Sequence, residues 1–178
     1  MNVDIISPPR TIMEVFKMLP EGTLAELING QIYMSPTPTN LHQRISRKLL
    51  IKLSEFVEAN ELGEVFSAPL DIYFDKASTA VQPDIVFISR DNAAQPLDKI
   101  PYEGIPDLLV EILSPSNNNH DLIVKKDLYE KFGVKEYWII DPTSKESIVY
   151  QLIGKEYKLT AKNTATLFSP LLNQSFIY

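Results

Sequence analysis

The clearest pattern of apolar and polar positions lies in residues 105–142. Residues 108–113 are an almost unbroken apolar run, which is typical of a strand buried on both faces of a sheet. A polar stretch follows, and then a segment with helical spacing of apolar residues that ends at Gly133, where Asn119 or Asp121 is the expected N-cap. A second apolar run covers residues 136–141. The pattern therefore predicts a strand, a loop, a helix and a strand.

One carboxylate, Glu111, interrupts the first apolar run. An ionised carboxylate among Leu, Val and Ile needs a cation, a metal or hydrogen-bond donors, or else it becomes protonated. At about 100° per residue, Lys125 shares the apolar side of the following helix with Leu128 and Phe132, while Lys126 points away. We therefore expect Lys125 to face Glu111. The pair is either part of a reactive site or a buried ion pair that only holds helix to sheet.

A second carboxylate occupies an apolar face near the N-terminus. Residues 23–35 predict a β-hairpin, because Asn29-Gly30 is a preferred pair for a tight two-residue turn. On its first strand Glu26 points to the same side as Leu24 and Ile28. The alternative interpretation of Glu26 is an ordinary glutamate on an edge strand.

A third carboxylate, Asp84, opens a buried run. Residues 64–74 predict one or two strands broken at Pro69, and residues 80–89 predict another strand. Pro83 restricts the backbone where this run begins, and it has no N–H group to donate to a neighbouring strand. A carboxylate at the mouth of a buried strand is a common position for a ligand. Asp107 is less attractive, since it lies at the outer start of its strand.

A long helix is predicted over residues 41–59. Its core positions recur every three or four residues: Leu41, Ile45, Leu49, Leu53 and Phe56. Its outer side carries four cations, with no acidic residue before Glu55: Arg44, Arg47, Lys48 and Lys52. This ridge suits contact with phosphates, and a solvated helix face is the alternative. His42, in the first turn, is either a polar contact near a site or a surface or capping residue.

The remaining segments predict structure without chemistry. Residues 1–10 look like a loose arm, Thr11 caps a short helix through Leu19, and residues 91–102 are a loop or short helix. Later segments complete a sheet: strands at 147–153 and 156–160 joined by Gly154-Lys155, and an apolar tail at 168–178 that packs on the body or on a partner.

Composition narrows the class of protein. With 178 residues, 44% hydrophobic and 22% charged, the chain is expected to be one domain, residues 1–178. We find no apolar run of membrane-spanning length and no secretion signal, so we expect a cytoplasmic protein that does not contact membranes. No cysteine and two histidines argue against thiolate or all-histidine metal sites. A metal would be held by oxygen, which favours Mg²⁺ or Mn²⁺.

Charge and motifs narrow it further. The net charge of −6 argues against nucleic-acid binding by the whole surface and leaves room for a local basic patch. There is no Gly-rich phosphate loop, and no organic cofactor is expected. Asp84 and Glu111 together would hold a divalent metal that acidifies a water, and Lys125 would orient that nucleophile or support the transition state. Glycoside hydrolysis by paired carboxylates is a weaker alternative, because a lysine suits phosphate chemistry better.

These residues carry a resemblance to known nucleases. Pro83-Asp84 followed by Glu111 resembles the PD-(D/E)XK motif of restriction-endonuclease-like nucleases, except that Leu113 stands where the lysine should be. The chain also resembles, over nearly its whole length, the bacterial Uma family, formerly a domain of unknown function. The matching stretches are AELINGQIYM, HQRI, VQPDIVFIS, GIPDLLVEILSPS and KKDLYEKFGVKEYWIIDP.

The resemblance implies a site and a fold. In that family the lysine has moved to the following helix, four residues before a tyrosine, which falls on Lys125 and Tyr129, and the hairpin glutamate falls on Glu26. Ala25 stands where the family usually has an aromatic residue, and Gln31 stands where it often has glutamate. The glutamine removes one possible acid from the rim of the site. The implied fold is an α/β (α+β) restriction-endonuclease-like domain, a mixed β-sheet core flanked by helices.

The implied activity is a Mg²⁺-dependent endodeoxyribonuclease. Its substrate is DNA, with Arg44, Lys48 and His42 as candidate contacts, and a homodimer is expected because cutting both strands needs two sites. The alternative is a non-catalytic module of the same fold that binds nucleic acid or a partner protein.

Overall fold

Two mixed β-sheets and three helices make up most of the structure, a computed structural model that describes residues 9–92, 101–114 and 120–178. The helices are α1 (Ile12–Lys17), α2 (Asn40–Ala59) and α3 (Lys126–Phe132), and a π-helical segment, His120–Lys125, leads directly into α3. The strands before α3 are β1 (Ala25–Ile28), β2 (Gln31–Met34), β3 (Gly63–Ser67), β4 (Ile72–Tyr73), β5 (Ala80–Val81), β6 (Ile85–Ser89), β7 (Tyr102–Glu103) and β8 (Leu108–Ile112). Those after it are β9 (Glu136–Ile140), β10 (Glu146–Ile153), β11 (Glu156–Thr164), β12 (Thr166–Ser169) and β13 (Gln174–Ile177).

The larger sheet has the strand order β11-β10-β9-β8-β6-β3, in which β8 and β9 are parallel and the other neighbours are antiparallel. The smaller sheet has the order β2-β1-β5-β4-β7, with β4 and β7 parallel. β12 and β13 form a separate hairpin. Both faces of β8 and β9 are covered by packed side chains, as their apolar runs predicted.

Side chains alternate across the larger sheet into two cores. One face packs against α2 and the β12–β13 hairpin, and on β8 and β9 it carries Leu108, Val110, Trp138 and Ile140. The other face packs against α3 and residues of the smaller sheet, and it carries Leu109, Tyr137 and Ile139. Glu111 follows Val110 on β8, so the alternation points it towards α3 and the smaller sheet. α1 covers the smaller sheet through Met13 and Phe16.

Several sequence predictions are confirmed. The hairpin turn falls at Asn29 and Gly30, both with positive φ (49° and 80°), as a tight two-residue turn requires. Thr11 caps α1, and Gly133 ends α3 in the left-handed conformation (φ 86°). The apolar tail packs on the body, where Phe176 and Tyr178 are buried.

Other predictions are wrong in an informative way. Residues 80–89 form two strands in different sheets rather than one, because Pro83 cannot donate to a ladder and the chain leaves the smaller sheet there. β1 lies between β2 and β5, so Glu26 is not on an edge strand. Leu41 is exposed, whereas His42 and Val57 belong to the buried side of α2.

Some predictions fall outside the described residues: most of the N-terminal arm (1–8), much of the 91–102 segment (93–100) and the Asn119 cap. Among the helices that the structure describes, none is long and apolar enough to cross a membrane.

Candidate active site

A cleft of about 90 Å³ is lined by β8 of the larger sheet, by loops next to the smaller sheet and by two helical segments. Asp84, Glu111 and Lys125 line it, together with His42 and Gln82. The loops on either side of the β1–β2 hairpin complete its rim through Leu24, Ser35, Pro36 and Pro38. The three residues on which the sequence-based hypothesis depends therefore share one cavity.

Lys125 lies at the centre of the buried charges. Its Nζ is 2.9 Å from Glu111 Oε1 and 3.0 Å from Glu26 Oε2. The three residues are 5%, 4% and 2% exposed, respectively. The predicted inward direction of Lys125 and its contact with Glu111 are thus present, and Glu26 joins the same group. Lys125 is the last residue of the π-helical segment, a kind of helical irregularity that is frequent at functional sites.

Tyr129, one turn further along, also contacts Glu111. Its hydroxyl donates to Glu111 Oε1 at 2.8 Å. Burial raises the pKa of Tyr129 well above its ordinary value, and the negative charges of Glu111 and Glu26 raise it further. Tyr129 therefore stays protonated at neutral pH and remains a hydrogen-bond donor, which fixes the orientation of the Glu111 carboxylate.

Glu26 is held from the other side by a residue that the sequence did not single out. The backbone N–H of Gln82 donates to Glu26 Oε1 at 2.9 Å. The Gln82 side chain donates in turn to Asp71 Oδ1 at 2.7 Å and to the Thr23 carbonyl at 3.3 Å. Gln82 stands two residues before Asp84, between β5 and β6, so it connects the smaller sheet to the start of the larger one. The sequence feature that could have pointed to Gln82 is its position directly before Pro83-Asp84.

Asp84 faces Glu111 across neighbouring strands. β6 pairs with β8 so that Ile85 lies opposite Val110, and continuing this register by one residue places Asp84 opposite Glu111. The Ile112 N–H donates to Asp84 Oδ2 at 2.7 Å, which confirms the proximity. Two acids of neighbouring strands therefore lie at the same end of the larger sheet.

His42 is the second partner of Asp84. Its Nε2 donates to Asp84 Oδ2 at 3.0 Å, because an ionised carboxylate only accepts hydrogen bonds. His42 is 7% exposed, so the expectation of a surface histidine is wrong. The cause is the hydrogen bond, which offsets the cost of burying the ring.

The charge balance and the donor types of the cleft fit a hard divalent cation. Glu26, Glu111 and Asp84 supply three carboxylates against the one ammonium of Lys125 and the imidazole of His42. Both hydrogen bonds to Asp84 go to Oδ2, and its Oδ1 accepts none from the described residues. No group of three or more potential ligands is close enough to form a metal site in the described part of the chain. Mg²⁺ is usually bound by one or two carboxylates together with waters and substrate phosphates, so Asp84 and Glu111 are the residues that would hold it.

The other predicted site residues lie elsewhere. Arg44 and Lys48 are exposed on the outer side of α2 and do not line the cleft. Asp107 is also away from the cleft, and it receives bonds from the Ser89 N–H (2.8 Å), the Asn92 amide (3.0 Å) and Lys135 (2.6 Å). Asp107 therefore connects the ends of three strands. This structural position is consistent with its being a less attractive candidate ligand than Asp84.

Comparisons with known proteins agree with this architecture. A crystal structure of a putative nuclease belonging to DUF820, from Anabaena variabilis ATCC 29413, superposes with a TM-score of 0.75 over 93% of this chain and 92% of that chain. The sequence identity is 23%, so this similarity establishes the fold, a single domain of mixed β-sheets with few helices. None of the curated proteins matches the chain.

The family comparison covers almost the whole sequence. A family model with the description "Uma2: Putative restriction endonuclease" matches residues 13–175. Glu26, Asp84, Glu111 and Lys125 all lie within that span, so the family match includes both carboxylates of the cleft, its lysine and the second glutamate that contacts this lysine. The protein belongs to the Uma2 family.

Proposed function

We propose that the protein is a metal-dependent endonuclease that hydrolyses phosphodiester bonds of DNA in the cleft. The observation that carries the proposal is the buried Lys125, held between Glu26 and Glu111 in the same cavity as Asp84. Membership in a family with the description "Putative restriction endonuclease" supports the same class of reaction. Paired carboxylates and a lysine at one end of a sheet suit phosphate chemistry.

Asp84 and Glu111 would hold the metal, Mg²⁺ or Mn²⁺. When bound, such an ion acidifies a coordinated water and neutralises charge that develops on the scissile phosphate. Asp84 is oriented for this role because the Ile112 N–H and His42 hold one of its oxygens and leave the other directed away from them. Glu111 is fixed by Lys125 and Tyr129.

Lys125 would stabilise the negative charge that builds up on the reacting phosphate or orient the attacking water. Two carboxylates hold its long side chain in one position before substrate arrives, so little reorganisation is needed during the reaction. Glu26 would serve to position Lys125.

The test is cleavage of supercoiled plasmid with Mg²⁺ or Mn²⁺ by the wild type and by Glu111→Gln and Lys125→Ala. We expect each substitution to lower the rate by at least about a hundredfold. Matched controls are Glu136→Gln, a buried strand glutamate outside the cleft, and Lys131→Ala, an exposed lysine of α3. Both controls should cut at rates close to the wild type.

Two results would contradict the proposal. If the wild type fails to cut with either metal but binds DNA, the fold serves as a binding module. If Lys125→Ala cuts as fast as the wild type, the lysine with its two glutamates only holds helix to sheet. RNA tested beside DNA under the same conditions identifies the nucleic acid.

A further inference from the structure

A basic surface adjoins the cleft on the solvent side of α2. It consists of five exposed residues in the first half of the helix: Asn40, Gln43, Arg44, Arg47 and Lys48. Four of them, without Lys48, line a shallow depression of about 280 Å³. We propose that this outer face of α2 binds the phosphate backbone of DNA next to the reacting bond, an inference that rests on the proposed nuclease function.

The positive charge of this face is not taken up by carboxylates of the described residues. Several surface cations elsewhere pair with carboxylates, as in Lys52–Glu55, Lys76–Glu103, Arg90–Glu61, Lys158–Glu156 and Lys162–Glu146. Across the described ranges, no carboxylate forms an ion pair with Arg44, Arg47 or Lys48. Although the chain carries a net charge of −6, three such cations on one face create a local positive potential.

The position of α2 connects this face to the cleft. Thr39 caps the helix, and His42 in the first turn points into the cleft, whose rim includes Pro36 and Pro38. Asn40 and Gln43 in the same turn lie on the outer face. A DNA strand that leaves the cleft over the start of α2 would therefore contact the basic face next.

The size of the cleft makes a flanking surface necessary. A volume of about 90 Å³ is far too small for a length of DNA, so most of the polymer must lie outside. From Arg44 to Lys48 the helix rises about 6 Å. Since one strand of B-DNA carries a charge about every 3.4 Å along the axis, this distance matches about two phosphates. Arginine forks bind phosphate oxygens in pairs, and the Asn40 and Gln43 amides add neutral donors.

The experiment measures binding without cleavage. Fluorescence anisotropy of a labelled DNA duplex is recorded in chelating buffer at several salt concentrations, for the wild type and for Arg44→Gln/Arg47→Gln/Lys48→Gln. The matched control is Lys155→Gln/Lys158→Gln/Lys162→Gln, which removes three exposed lysines from the β10–β11 hairpin and changes the net charge equally. We expect the α2 variant to bind at least about tenfold more weakly, with a salt slope smaller by about 2. The hairpin control should stay within about twofold.

Three outcomes would overturn this inference: equal losses in both triple variants, an unchanged salt slope in the α2 variant, or tighter binding of an RNA duplex through the same residues. Failure of the wild type to cut plasmid contradicts the proposed function, whereas failure of the α2 variant to lose affinity while the wild type cuts contradicts only the assignment of the α2 face. The two failures are therefore distinguishable.

Discussion

Lys125 is a buried amine between two glutamates that come from different sheets, and its removal leaves two carboxylates without their cation. Breaking a buried ion pair in this way costs about 3–5 kcal/mol. We therefore predict that Lys125→Ala lowers the free energy of unfolding by about that amount, measured by urea denaturation at pH 7. Lys131→Ala, on the exposed side of α3, should change it by less than about 0.5 kcal/mol.

The combination of stability and cleavage separates the two interpretations of this pair. A large loss of stability with retained cleavage would mean that Lys125 is structural. An unchanged free energy of unfolding would mean that water enters and solvates the two glutamates in the variant.

The hydrogen bond from His42 to Asp84 predicts that the histidine positions this carboxylate rather than contacting substrate. Groups that orient a metal-binding carboxylate typically contribute about 10–100-fold to metal affinity. We predict that His42→Ala weakens Mn²⁺ binding by about that factor, measured by calorimetry. His42→Gln, whose amide can donate to Asp84 Oδ2, should recover most of the affinity, and Gln43→Ala on the exposed side of the same turn should leave it unchanged. Equal Mn²⁺ affinity in His42→Ala and the wild type would contradict the positioning role.

At the scale of elements, Asp107 joins the end of β6 and the starts of β8 and β9. Burial alone would raise the pKa of Asp107, but the bonds from Lys135, the Ser89 N–H and the Asn92 amide outweigh it and hold the pKa below its ordinary value of 3.8. The folded state thus binds this proton less readily than the unfolded chain. The resulting stabilisation is complete above the unfolded pKa and is lost as pH falls through the folded pKa.

We predict that Asp107→Asn lowers the free energy of unfolding by about 1–3 kcal/mol at pH 7. Its stability should also fall less steeply than that of the wild type between about pH 5 and about pH 2. Urea titrations across this range measure both effects. Parallel pH curves for the variant and the wild type would show that Asp107 contributes nothing to acid unfolding.

Elements with strong local signals were predicted well from the sequence. The Asn29-Gly30 turn, the buried strands β8 and β9 and the end of α3 depend on residues close in the chain. The break of residues 80–89 into β5 and β6 was missed, although Pro83 was visible, because sheet membership depends on distant partners. Leu41 rather than His42 was predicted to lie on the buried side of α2. This prediction failed for another reason, because a pattern of apolar residues takes no account of the hydrogen bond that Asp84 accepts from His42.

The site shows the same division at the scale of the whole molecule. Lys125 and Glu111 could be paired from the sequence because a helix directly follows the strand. The sequence could not predict the contact of Lys125 with Glu26 or the role of Gln82, since both depend on how the smaller sheet packs on the larger one. Strand alternation singled out Glu26, the family resemblance assigned it to the site, and the three-dimensional arrangement supplied its partner.

The number of clefts in an assembly decides what a nuclease of this kind does to a duplex. Each chain brings together one set of Asp84, Glu111 and Lys125 in the described residues, so cutting both strands in one encounter needs two chains, most simply as a twofold dimer. We predict that the wild type converts supercoiled plasmid directly to linear DNA at concentrations where sedimentation shows a dimer, and that dilution favours nicked circles.

Mixing subunits tests this assembly most sharply. A dimer of one wild-type chain and one Glu111→Gln chain has a single working cleft, so mixtures should accumulate nicked circles in proportion to the mixed dimer. A Lys131→Ala chain in place of Glu111→Gln should leave linear DNA as the product, because Lys131 lies outside the cleft. If nicked circles precede linear DNA at every wild-type concentration, the chains act one at a time, and double-strand cleavage requires two independent encounters.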